Sequence, residues 1–178
     1  ASCYVTQAAV RMMLDSGLLP EGALQLICGG TGDLLDRLTG QDVVSFTGSA
    51  ATALTLHSTR AILSGSVPFI AEQDSLNASI LGPDAVPGTP EFDLFIKEAA
   101  REITTKAGQK CTAIRRMIVP DPQPVIEALS EHLSRIIIGD PRREDVTMGA
   151  LISTAQRRDV LEKAGIIASE AELVYDGA

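Results

Sequence analysis

The sequence predicts an α/β protein built from parallel sheets covered by helices, and two observations carry that prediction. Apolar runs of strand length recur along the chain, separated by stretches whose apolar residues fall at helical spacing. This is the βαβ rhythm of a parallel sheet with helices on its faces. Turns bearing glycine or proline punctuate most of the junctions.

In chain order, Val5, Ala8, Ala9, Met12 and Met13 place an amphipathic helix over residues 3–16, stopped by Gly17 and Pro20. Residues 24–28 read as a short apolar strand ended by Gly29-Gly30-Thr31-Gly32-Asp33. A short helix over 34–38 and a strand over 43–46 follow. The turn Thr47-Gly48-Ser49 then opens an amphipathic helix over 50–63. Residues 67–72 read as another strand, running into the polar Gln73-Asp74-Ser75, and a further apolar piece at 78–81 ends in Gly82-Pro83-Asp84. The stretch 85–90 carries two prolines and a glycine, so it reads as a linker and marks a domain crossing. Phe92, Phe95, Ile96, Ala99, Ala100 and Ile103 line one face of the strongest helix, over 92–106, which delivers Gly108 and Cys111 at its C-terminal end. Beyond it the pattern gives a strand over 117–119, a helix over 125–133 and a strand over 135–138. An extended piece over 149–153, a helix over 155–164 and a last strand over 172–175 complete the chain.

Composition narrows the function. A net charge of −8 argues against nucleic acid or an anionic membrane surface as partner, because both require a basic face. No apolar window approaches the length of a bilayer span. Cys3, Cys28 and Cys111 are odd in number and unevenly spaced, so neither a disulfide framework nor a metal site is expected, and a reducing cytoplasm fits. The chain starts without methionine and stops just after its expected last strand, which reads as an internal piece of a longer protein.

Three places could hold chemistry. In Lys106-Ala107-Gly108-Gln109-Lys110-Cys111-Thr112-Ala113, followed by Arg115-Arg116, a cysteine sits where positive charge and backbone N–H groups favour the thiolate, the nucleophilic form. The alternative is a buried cysteine acting as a small apolar side chain. In Phe46-Thr47-Gly48-Ser49, a strand ends, a glycine permits close approach, and Ser49 opens a helix whose free N–H groups would hold a phosphate; the alternative is that Ser49 only caps the helix. Glu72 ends an apolar strand, and burial there is the kind of setting that makes a glutamate a general base near neutrality, the alternative being a solvated acid. His57 and His132 fall among exposed-looking helical residues and read as surface.

Phe46-Thr47-Gly48-Ser49, Glu72 and Gly108-Gln109-Lys110-Cys111-Thr112-Ala113 together resemble the core motifs of the NAD(P)-dependent aldehyde dehydrogenase superfamily. The runs 42–51, 72–77 and 91–119 are most similar to the aldehyde dehydrogenase domain of bifunctional ring-opening enzymes of bacterial phenylacetate degradation, with the semialdehyde dehydrogenases of the benzoyl-CoA pathway a near second. The resemblance implies a partial Rossmann-like cofactor domain over 1–72 and part of a catalytic domain over 73–178. It implies Cys111 as nucleophile toward an aldehyde, Glu72 as the base that activates the hydrolytic water, and Phe46, Thr47, Gly48 and Ser49 at the phosphates of NADP or NAD. It further implies a CoA-linked semialdehyde as substrate, a homo-oligomer, and a fused hydratase domain in the parent protein. One departure stands out: Glu72-Gln73-Asp74-Ser75 replaces the superfamily's commoner Glu-Leu-Gly-Gly, so the loop beside the base lacks its glycines.

Overall fold

Two short pairs of parallel strands organise the chain, each joined by a helical crossover. The structure is a computed structural model, and it describes residues 2–176. The chain divides into two compact units, Ala1–Asp74 and Ser75–Ala178.

The first unit opens with helix α1, Ser2–Asp15, and later pairs strand β1, Val44–Gly48, with β2, Phe69–Gln73. The register sets Val44 opposite Phe69 and Thr47 opposite Glu72. The crossover between these strands is two helices, α2 over Ala50–His57 and α3 over Arg60–Gly65. A single helix over 50–63 was the sequence expectation, and the break has a local cause. The Ser58 hydroxyl turns back onto the Leu54 carbonyl at 2.7 Å, and Thr59 takes an extended conformation that starts α3 afresh. Ala53, Ile62 and Val67 are buried in this unit. Residues 24–28 form no strand: an apolar run becomes a strand only where a neighbour takes up its backbone groups, and Ile27 lies exposed.

In the second unit β3, Ala78–Ile80, pairs with β4, Arg116–Ile118, across helix α4, Pro90–Thr104. The stretch expected as a linker, 85–90, lies inside this unit and prepares α4. Thr89 caps the helix by accepting the Phe92 amide at 3.3 Å, Pro90 takes the first turn where its missing N–H costs nothing, and Glu91 and Asp93 complement the helix dipole. The buried stripe Phe92, Ile96, Ala99 and Ala100 packs with Leu81 and with Val125 and Leu129 of α5, Pro122–Ser134. Helix α6, Thr154–Ala168, follows. The strands expected over 135–138 and 172–175 do not form; residue Ile138 makes only an isolated bridge to Met148. Among the described residues, no helix is long and apolar enough to cross a membrane.

Candidate functional site

The C-terminal end of α4 builds the cysteine loop. The helix stops at Thr104, a tight 3-10 turn covers Thr105–Gly108, and within it Lys106 and Ala107 adopt left-handed conformations at φ 54°. Gly108 follows at φ 70°, where a glycine is at ease and a side chain is not. Three successive left-handed residues turn the chain sharply, and the two that carry side chains store strain.

That turn leaves Cys111 exposed in this chain, as Cys3 and Cys28 are. Its surroundings are well tied. The Lys110 ammonium is bound to Glu102 of α4 at 2.8 Å, with the two side chains only 19% and 16% exposed. Its charge therefore serves the helix rather than standing free beside the thiol. The Arg115 guanidinium donates to the carbonyls of Gly108 at 3.1 Å and Lys110 at 3.3 Å. The Gln109 amide group donates to the Lys106 carbonyl at 2.9 Å and accepts the Ile152 amide at 3.0 Å. Asn77, at the head of β3, donates from Nδ2 to the Cys111 carbonyl at 2.6 Å and to the Ala113 carbonyl at 3.3 Å. Asn77 lies within a run that carried the resemblance, but a long-range bond to a cysteine 34 positions away has no local signal in a single sequence.

In the first unit, β1 ends in Phe46-Thr47-Gly48 and Ser49 caps α2, accepting the Thr52 amide at 3.2 Å and donating to the Thr52 hydroxyl at 2.9 Å. Thr47, Gly48 and Ser49 are exposed. A Cβ on Gly48 would lie 2.4 Å from the Phe46 ring, so the bare glycine leaves room for that ring. The helix amides are also not all free, because the Asp74 carboxylate accepts the Ala50 amide at 3.2 Å. Asp74 reaches that point from a left-handed conformation at φ 53°, its own amide donating to the Gly48 carbonyl at 3.1 Å. The position thus has the backbone that a glycine would take without cost, and aspartate is one of the few other residues that tolerates it.

Glu72 sits on β2, in register with Thr47. It is exposed among the described residues, so the apolar burial expected for a general base is not provided there. An apolar hollow in the second unit is lined by Met117, Val119, Val125, Leu129, Val174 and Tyr175, and none of the candidate site residues takes part in it. His57 stacks on Phe69 with ring centroids 5.0 Å apart while remaining exposed, and His132 is exposed on α5.

The fit of these residues to a dinucleotide follows from the same geometry. A strand end followed by a helix N-terminus at the edge of a parallel pair is where α/β sheets bind phosphates. The exposed Ser49 hydroxyl and Thr47 side chain stand there, and the Asp74 carboxylate already holds one amide in the manner of an anion. The position suits a negative group, and a phosphate using the Ala50 amide has to move that carboxylate aside.

Known proteins resemble this chain in sequence and in fold. Over 178 aligned residues the chain is 45% identical to a 3,4-dehydroadipyl-CoA semialdehyde dehydrogenase of Aromatoleum evansii, covering 99% of this chain and 35% of that protein. It is 33% identical to a 3-succinoylsemialdehyde-pyridine dehydrogenase of a Pseudomonas species, covering 93% of this chain and 34% of that one. The chain therefore spans about a third of the length of these curated relatives. Among solved structures, betaine aldehyde dehydrogenase of Staphylococcus aureus in complex with NAD+ superposes with a TM-score of 0.80 at 26% identity, over 93% of this chain and 32% of that one. A double mutant of the same enzyme gives a TM-score of 0.82 at 25% identity, over 97% of this chain and 34% of that one. The aldehyde dehydrogenase family model matches residues 2–178. With that match running through both strand pairs and the cysteine loop between α4 and β4, the chain belongs to the aldehyde dehydrogenase family.

Proposed function

We propose that the protein oxidises an aldehyde to a carboxylate, with Cys111 as the nucleophile. The observation that carries this reading is the exposed Cys111, presented on a left-handed turn and held by Asn77, Arg115 and Gln109, in a chain of this family. Cys111 Sγ attacks the carbonyl carbon and gives a thiohemiacetal. A nicotinamide dinucleotide would supply the hydride acceptor for this carbon, leaving a thioester on Cys111. Thr47 and Ser49 would hold the dinucleotide phosphates at the N-terminus of α2, with Phe46 and Gly48 shaping the turn. Glu72 takes a proton from water as the water attacks the thioester carbon, and the carboxylate leaves as the Cys111 thiolate is released.

We read Ala1–Asp74 as the later portion of the cofactor-binding domain and Ser75–Ala178 as the opening portion of the catalytic domain. The break between the two compact units, after Asp74, lies two residues beyond the expected boundary at Glu72 and supports this reading. The substrate is a CoA-linked semialdehyde of aromatic catabolism, of the phenylacetate or the benzoyl-CoA type. The name of the Aromatoleum evansii relative supports the CoA-linked class. A cytoplasmic homo-oligomer using NADP or NAD completes the proposal.

The test is aldehyde-dependent reduction of NADP+ and NAD+ by protein carrying this chain within its full length. Cys111→Ala should abolish reduction. Glu72→Gln should leave an initial burst of reduced cofactor and slow the turnover that follows, because only thioester hydrolysis needs the base. Undiminished turnover in Cys111→Ala would remove the nucleophile from the proposal.

A further inference from the structure

The two peptide groups that flank Cys111 are both pinned, and Asn77 pins one of them from the residue just before β3. Because a peptide unit is planar, holding a carbonyl fixes the N–H on the opposite side of the same plane. The Lys110 carbonyl shares its plane with the Cys111 amide, and it accepts the Ala113 amide at 3.3 Å and the Arg115 guanidinium at 3.3 Å. The Cys111 carbonyl lies in the next plane, and it accepts Asn77 Nδ2 at 2.6 Å. The same nitrogen reaches the Ala113 carbonyl at 3.3 Å. The amide orientation is forced, since the flipped form would set Oδ1 against two carbonyl oxygens, acceptor against acceptor. The Asn77 main chain completes the tie, its carbonyl accepting the amides of Arg115 at 2.9 Å and Arg116 at 3.2 Å where β3 and β4 begin to pair.

We propose that Asn77 is a positioning residue for Cys111, clamping the cysteine loop to the head of β3 through the Cys111 carbonyl so that the thiol keeps one orientation. The proposal rests on the reading of Cys111 as the nucleophile. It adds the residue that turns an exposed, strained loop into an ordered one. A side chain of the same size without a donor removes the clamp and leaves the main-chain bonds from Arg115 and Arg116 in place. Access does not limit Cys111, which is already exposed, so loosening the loop can only dilute its single arrangement.

The test uses the full chain with Asn77→Leu, which keeps size and adds no charge, and Asn77→Ala in case the leucine variant fails to fold. Two quantities are read: the iodoacetamide alkylation rate of Cys111 at fixed pH relative to Cys3 and Cys28, and hydrogen exchange peptide by peptide. The loss of the two Asn77 Nδ2 bonds should lower the relative rate of Cys111 by about three- to tenfold and speed exchange over 109–116 by a similar factor. Exchange in α4 and α5 should not change. Asn77→Gln, whose amide keeps its donors on a longer arm, should recover some of both effects. Unchanged reactivity and exchange in Asn77→Leu would overturn the proposal, as would acceleration spread evenly over the second unit, which would make Asn77 a general fold residue. If Cys111 in the unsubstituted chain alkylates no faster than Cys3 and Cys28, the nucleophile reading fails, while exchange over 109–116 still decides whether the clamp exists.

Discussion

Lys110 and Glu102 form the pair on which the base of the cysteine loop depends. The ammonium and carboxylate meet at 2.8 Å in a setting mostly removed from water, and Glu102 Oε2 is buried without a partner among the described residues. Such a pair adds little stability compared with apolar packing, but removing one member strands the other charge. Lys110→Met should therefore cost about 2 kcal/mol in urea denaturation, and the double substitution with Glu102→Leu should recover most of it. Equal losses in the single and double variants would show that the two residues act independently. The sequence displayed Lys110 beside the cysteine and suggested a free positive charge. What it could not display is the turn at Lys106–Gly108, which brings Lys110 back onto its own helix. Asp74 shows the same limit: its replacement of a family glycine was visible, whereas its carboxylate on the Ala50 amide depends on the strand pairing that places β2 beside β1.

At the scale of elements, the strained turn after α4 makes a definite demand. Ala107 holds φ 54° and ψ 39°, a conformation that costs an alanine about 1–2 kcal/mol and a glycine nothing. Glycine also loses more freedom on folding, which offsets some of that gain. Ala107→Gly should thus stabilise the chain by about 0.5–1 kcal/mol by urea denaturation, and a loss of stability would mean that the turn is not left-handed in solution. Elements with strong local signals were legible in advance. The stripe along α4 and the Ser49 cap of α2 need only neighbours three or four residues away. The apolar runs at 24–28, 135–138 and 172–175 failed as strands because pairing is a property of two segments, and no run of residues states where its partner lies. The helix expected over 50–63 divided because Ser58 and Thr59 compete for backbone groups within a pattern whose apolar spacing alone looks continuous.

Across the whole molecule, two βαβ crossovers carry the candidate groups: Ser49 and Glu72 on the first, Asn77 and Cys111 on the second. Large apolar side chains stand exposed in both units, Leu18, Leu54 and Ile70 in the first and Ile80, Ile118 and Ile167 in the second. The identity of the nucleophile is the point on which the proposed chemistry turns, and all three cysteines are exposed, so accessibility alone would make them react alike. The most direct test is to alkylate the chain with iodoacetamide and follow each cysteine by mass spectrometry. Selective reaction at Cys111, well ahead of Cys3 and Cys28, is the predicted result. Equal rates at the three positions would contradict the account, leaving Cys111 an ordinary surface thiol on an unusual turn.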